Sequence, residues 1–343
     1  MKKYIFRRLL LLPLILLILS FFLFSLVSFL TPYERLAVFI PNPDVLSRIP
    51  VEELIRVYGL DQPFLQQYYN WFKNIMQGNL GWSASARMPV GKALAKKFPA
   101  TIELLVLGQL IILFAGVTLG TIAGVRHNQI IDNVIKFFAT FAISLPGFVI
   151  GIYLLVIFYA VLGFFPPGRL SNWATDVVLF SDFKNYTNLN LVDSLLNLRF
   201  DVFWDALRHL IAPSFAYSVS TLATTIRLMR SSLLETLHKD YVRTARAKGL
   251  KENIVIKKHA RRNALLPIVT FIGTSIPVMF GGSVIIETVF NYPGIGLFII
   301  QAAQGLDFPA ILGSGLLVGT VIVLTNLTVD IIYHYLDPTI GYD

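Results

Sequence analysis

The chain is broken up by runs without a single charge that are long enough to cross a lipid bilayer. Residues 9–33, 104–125, 137–168, 263–286 and 308–329 contain no Asp, Glu, Lys or Arg. A helix needs about 20 apolar residues to cover the ~30 Å hydrocarbon core. In hydrocarbon the backbone finds no water to bond, so runs of this length are confined to helix. Residues 210–226 are also uncharged but shorter and rich in Ser and Thr, and they reach spanning length if the helix starts near Phe203. Six spans are therefore expected. With 55% of residues hydrophobic and 14% charged, the chain is far more apolar than a soluble domain.

Charge sets the expected orientation. Lys2, Lys3, Arg7 and Arg8 precede the first run, which is too long for a signal-peptide core and is not closed by a small-x-small cleavage site. The reading is a retained first helix with a cytoplasmic N-terminus, and an even span count returns the C-terminus to the same side. Arg126, His127 and Lys136 then fall in an inner loop, as the positive-inside rule asks. The outer stretch 169–205 carries Asp176, Asp182, Asp193, Asp201 and Asp205. The expected organisation is a first helix at 1–31, an extracytoplasmic region at 32–99 and a transmembrane domain at 100–336. That domain holds an outer insertion at 169–205 and a basic loop at 238–263, and a cytoplasmic tail at 337–343 follows with nothing soluble fused to it.

The formal charge of +9 is concentrated in that loop, which argues for orientation in a membrane and against nucleic-acid binding. The absence of cysteine rules out disulfides and thiol chemistry. No histidine cluster marks a metal site. The loop reads HKDYVRTARAKGLKENIVIKKHARRN and predicts two short helices broken at Gly249. On charge alone the simpler reading prevails, an ordinary positive-inside loop touching anionic lipid.

The order of residues narrows this. Tyr241-Val242-Arg243-Thr244-Ala245-Arg246-Ala247-Lys248-Gly249-Leu250, then His259, Asn263 and Leu265-Leu266-Pro267, resembles the ATPase-coupling loop of ABC-importer permeases. The form is that of the dipeptide/oligopeptide branch. Gly59-Leu60-Asp61-Gln62-Pro63, Gly78-Asn79-Leu80-Gly81, Phe98-Pro99-Ala100-Thr101-Ile102-Glu103-Leu104 and Tyr292-Pro293-Gly294-Ile295-Gly296 match the same family in order. So do the opening Tyr4-Ile5-Phe6-Arg7-Arg8 and the closing Leu336-Asp337-Pro338. Arg243 replaces the family's leading acid, and Arg261 stands where an apolar residue is usual.

The resemblance implies an all-α integral membrane protein of the type I importer permease fold, in the cell membrane. It implies Tyr241, Arg243, Ala245, Arg246, Gly249, His259, Asn263 and Pro267 as coupling residues, with the small Ala245 and Gly249 at the docking surface. The implied partners are a second homologous permease, two ABC ATPase subunits and an extracytoplasmic solute-binding protein. The chain has no Gly-x-x-x-x-Gly-Lys-Ser/Thr. It is thus expected to be no enzyme and to bind no cofactor, with ATP and Mg held by the ATPases. The implied cargo is a short peptide, with oligosaccharides or nickel as alternatives. An ion-coupled secondary transporter is the competing class.

Two further sets of residues follow from spacing. Ser214, Ser218, Thr221 and Thr225 share one helical face, and Thr270 and Thr274 repeat the pattern in the next span. Such stripes either pack helices together or line a polar route. Asp330 and His334 lie near the inner end of the last span, as Arg227 and Arg230 do in the fourth. Either Asp330 pairs with one of these arginines at the cytoplasmic mouth, or each side chain reaches the interface alone.

Overall fold

The computed structural model describes the backbone of residues 2–40 and 49–336, and the side chains in that range except at 2–10, 37, 330 and 332–336. Helix α1 (Lys2–Val27) is followed by the short α2 (Pro32–Phe39), α3 (Val51–Val57) and α4 (Phe64–Met76). A small antiparallel hairpin pairs β1 (Trp82–Ser83) with β2 (Met88–Pro89). Helix α5 (Val90–Val125) contains a π-helical turn at Ile112–Gly116. Between helices α6 (Ile130–Ser144) and α7 (Gly147–Val161) the chain bends by 104°. Two short helices, α8 (Asn172–Phe180) and α9 (Asn190–Leu196), lead to the longest, α10 (Phe200–Leu237). Then come α11 (Asp240–Ala247), α12 (residues 252–264), α13 (Leu266–Val289), α14 (Ile295–Gln304) and α15 (Phe308–Leu336).

Helices α5, α13 and the Phe308–Val329 part of α15 are long and apolar enough to cross a membrane, and the bent pair α6–α7 adds a fourth span if taken as one. The expected all-α membrane architecture is thus what forms. The sixfold count is consistent with it, α1 and α10 falling at the two other expected spans. The break in the third span has a local cause. Pro146 offers no N–H to the helix and forces Leu145 into extended backbone, at φ −107° and ψ 134°.

The chain packs as two compact units. One comprises the chain up to Thr101 together with Pro293–Ile331. Its core gathers aromatics from α1 and α4: the Phe24 ring lies 5.7 Å from Phe64, 5.8 Å from Tyr68 and 4.9 Å from Trp71. A capping box between Thr31 and Glu34 starts α2. Gly81 opens the hairpin at φ +85°, and a Cβ there would sit 2.9 Å from the Val38 carbonyl oxygen. Only glycine fits that turn. Asp307 ties the hairpin to α15. Its carboxylate accepts from Ser83 Oγ at 2.6 Å, the Ser85 amide at 2.8 Å and the Ala310 amide at 3.2 Å. Thr101 Oγ1 accepts the Ile295 amide at 2.8 Å, which fixes the start of α14.

The other unit, Ile102–Tyr292, is built around α10. Helices α5, α6, α7 and α13 all pack against it. Close approach of α5 depends on Gly108, Gly116, Gly120 and Gly124, which face Tyr217, Thr225, Met229 and Leu233. A Cβ at Gly120 would lie 2.6 Å from the Cβ of Met229. Small residues spaced by four let membrane helices touch at the backbone. This stripe did not figure in the sequence reading, although Gly116-x-x-x-Gly120-x-x-x-Gly124 is visible there.

Candidate translocation cavity and coupling knob

The bend at Pro146 and Gly147 leaves an open cavity of about 650 Å³ between α7, α10 and α13. Its polar lining is uncharged: Tyr217, Ser220 and Thr221 from α10, Thr274 and Ser275 from α13. Phe148, Phe271, Val278 and Met279 supply the apolar wall. Gly147 packs on the Ala216 carbonyl, where a Cβ would come within 2.8 Å, so the broken helix is seated on α10.

The hydroxyl stripe divides differently from the expectation. Ser214, Ser218 and Thr225 are fully buried and belong to helix packing. Ser214 Oγ donates to the Leu104 carbonyl at 3.4 Å, and the Thr225 methyl fills the space opposite Gly116. Only Thr221 of that set lines the cavity, joined by its neighbour Ser220, which the spacing argument passed over. The reason is physical: periodicity groups residues by face but does not say whether a helix or a void lies opposite. In α13, Thr274 lines the cavity and Thr270 does not. Glu287, one residue beyond the charge-free stretch 263–286, is fully buried.

The basic loop forms two helices at a turn. Gly249 sits between α11 and α12 at φ +76°, exposed and with open space where a Cβ would project. Tyr241, Arg243, Arg246 and Asn263 are exposed, His259 is half-buried, and Pro267 lies in the first turn of α13. Ala245, expected at the surface, is turned inward: it is buried with Val242 at the foot of the knob. Its i, i+3 spacing from Val242 makes these two the apolar face of α11, so burial follows from the amphipathic pattern. Arg246 reaches across the turn to Glu252 through two bonds of 3.1 and 2.7 Å, bracing α11 against α12. That bond holds the Glu252 carboxyl below its ordinary value.

Toward the C-terminal end of α10, Arg230 is engaged by Asp132. Its Nε and Nη2 donate at 2.7 and 2.8 Å, and the Asn128 amide adds a third bond to the same carboxylate at 2.9 Å. Asp132 is fully buried, with His127 at 3.5 Å and Lys136 at 3.7 Å. Arg227 is exposed. The side chains of Asp330 and His334 lie outside the described residues. Asp132 was not among the expected mouth residues, because its partner lies 98 positions away.

A second buried cluster joins the 169–205 stretch to α5 and to the end of α13. Arg169 donates to Glu103 at 3.0 and 2.8 Å and to the Asn188 carbonyl at 2.6 Å. The Leu191 amide bonds the other Glu103 oxygen at 2.9 Å, and the Tyr292 hydroxyl approaches at 3.4 Å.

The helical membrane fold, the uncharged cavity and the basic knob together describe a transport subunit, and comparison with known proteins places it. Residues 116–342 match the family described as "Binding-protein-dependent transport system inner membrane component". Residues 1–105 match "Binding-prot-dependent transport system membrane comp, N-term". The chain belongs to this family of permease subunits of ABC transporters. It is 37% identical over 299 residues to the "Probable D,D-dipeptide transport system permease protein DdpB" of Escherichia coli, covering 87% of this chain and 86% of the relative. It is 37% identical over 291 residues to the "Dipeptide transport system permease protein DppB" of the same species, covering 84% and 85%. A "Di/tripeptide transport system permease protein DppB" of Pseudomonas aeruginosa is 37% identical over 348 residues, covering 100% and 99%. The protein is a membrane-embedded permease subunit without catalytic chemistry of its own. It works within a system that includes a solute-binding protein and ATPase subunits.

Proposed function

We propose that this permease carries short peptides into the cell, driven by ATP hydrolysed on partner subunits. Relatives named for dipeptide and tripeptide transport match over nearly the full chain. The observation that carries the reading is the cavity of about 650 Å³ with its uncharged hydroxyl and aromatic lining. A peptide backbone offers donors and acceptors that hydroxyls bond in either sense, and side chains of any character pass a wall without fixed charge. Thr221 and Thr274 are the path residues in this reading. Selectivity then rests with the solute-binding protein.

The knob formed by α11 and α12 is the handle for an ATPase subunit. Tyr241, Arg243, Arg246, Gly249, His259 and Asn263 meet the ATPase, Ala245 holds the shape of the knob, and Pro267 starts the span that it moves. A second homologous permease completes the pathway, each permease resting on one ATPase, with ATP and Mg bound there alone. The N- and C-termini lie in the cytoplasm, and the regions 32–99 and 169–205 face the binding protein. Nucleotide-driven closure of the two ATPases biases a bistable packing of the helices.

Reconstitution tests this. Proteoliposomes containing the two permeases and the ATPases, supplied with binding protein, are expected to take up labelled di- and tripeptides only with ATP. Uptake of an oligosaccharide or nickel in place of peptides would reject the cargo, and uptake driven by an ion gradient without ATP would reject the energy source.

A further inference from the structure

The cations of the basic loop fall into two groups. Of the five cations in the first half, local acids match three: Lys239 pairs with Glu235 at 2.8 Å, Arg243 with Asp240 at 3.5 Å and Arg246 with Glu252 at 2.7 Å, while Lys248 and Lys251, which flank Gly249, lie three residues apart on the exposed turn without such a partner among the described residues. In the second half, Lys257, Lys258, Arg261 and Arg262 have no carboxylate in ion-pair range among the described residues. Both lysines and Arg262 are exposed. The Nε of Arg261 is shielded from water yet bonds to nothing.

Spacing gathers the four on one face of α12. Lys257 and Arg261 are i, i+4, as are Lys258 and Arg262, and residues four apart stay on one side of the helix through its π-helical turn at Val255–Ala260. The membrane is close. Helix α12 passes through the helical Leu265 into α13, whose Leu266–Val289 is long and apolar enough to span. At 1.5 Å per residue, Arg262 lies at most ~6 Å and Lys257 at most ~14 Å from Leu266 along the helix. The polar layer outside the hydrocarbon is about 5–8 Å deep. The arginines therefore start within it, and the flexible lysine stems reach it from below.

We propose that Lys257, Lys258, Arg261 and Arg262 form a binding site for the phosphate headgroup of an anionic phospholipid. The terminal nitrogens of the Arg261 guanidinium offer a phosphodiester two parallel N–H donors, and the other three cations hold the remaining charge. A protein partner meets the half of the knob beside Gly249 and, on α12, the His259–Asn263 pair; the four cations occupy the other face of α12, close to the bilayer entry. The site depends on the membrane placement of the protein and not on its cargo, so the two readings fail separately.

The test uses the complete purified transporter, with phosphatidylglycerol and phosphatidylcholine as probes and lipid retention read by native mass spectrometry. Wild type is expected to prefer phosphatidylglycerol, each cation contributing roughly fivefold near an anionic surface. The K257Q/K258Q/R261Q/R262Q variant loses the preference. The K239Q/K248Q/K251Q variant removes three cations from the other half of the same loop and keeps the preference. R261K alone, which retains the charge but not the fork, weakens the preference and serves if the fourfold variant does not fold. An unchanged preference in the first variant, or in R261K, overturns the proposal. So does equal loss in the control, or loss of the ATPases from the first variant with lipid preference intact.

Discussion

Arg230 closes on Asp132 with two parallel bonds of 2.7 and 2.8 Å, joining the foot of α10 to the first turn of α6. The carboxylate is fully buried while the arginine keeps 18% of its side-chain surface exposed. The pair therefore fixes the start of the broken third span against α10. Removing one partner strands the other, and a broken buried pair costs about 3–5 kcal/mol. Asp132→Ala is expected near the lower end, because Arg230 can turn to water. Thermal unfolding in detergent checks this, and Asp132→Asn should fall between the variant and wild type.

Glycine substitutions along α5 and α13 should have opposite outcomes. At Gly120 a Cβ meets the Met229 Cβ at 2.6 Å and the Ile226 carbonyl at 2.8 Å. Neither backbone can yield without parting α5 from α10. Gly120→Ala is expected to cost about 1–3 kcal/mol as overpacking, and Gly120→Val more. Gly281 and Gly282 have open space where a Cβ would project. There alanine is neutral or stabilising by about 0.5–1 kcal/mol, because it removes glycine's entropic penalty in a helix. A shared destabilisation at all three sites would contradict the packing.

At the knob, conformation and bulk can be separated. Gly249 lies at φ +76° with nothing near its missing Cβ. Asn tolerates that backbone region and most other residues pay about 1–2 kcal/mol. Gly249→Asn should preserve peptide uptake. Gly249→Arg is expected to insert normally yet lose transport and ATPase association, measured by co-purification and vesicle uptake. Normal ATP-driven uptake by the arginine variant would remove Gly249 from the docking surface.

The two classes of hydroxyl should separate by readout. Thr274→Phe and Ser220→Phe narrow the cavity and are expected to cut uptake severalfold while leaving the melting temperature near wild type. Thr225→Phe is expected to unfold the α5–α10 contact, because its methyl already touches the Cβ position of Gly116 at 2.7 Å. Ser214→Ala removes one bond of 3.4 Å and should cost about 0.5–1.5 kcal/mol without affecting transport in proportion.

Glu103 and Arg169 test whether the 169–205 stretch is held to α5 by charge. Glu103→Gln leaves Arg169 sheltered without its carboxylate, and Tyr292→Phe removes only the weak contact at 3.4 Å. The first is expected to speed proteolysis between α8 and α9, and the second to change it little.

The spans could be read from sequence because lipid leaves an uncharged run of about 20 residues no fold but helix. The loop at Gly249 could be read for a related reason: flanking helix formers and one residue suited to positive φ are local properties. Residues 116, 120 and 124 carried a legible packing signal as well, in their four-residue repeat. Tertiary structure alone decided what each face meets. Ser218 and Thr221 sit three positions apart on one helix, yet one is buried against a neighbour and the other borders a cavity. The partner of Arg230 likewise came from the start of another helix. Periodicity assigns a side chain a direction relative to its own helix axis; which helix, void or charge occupies that direction depends on how the chain folds back, and no local pattern encodes it.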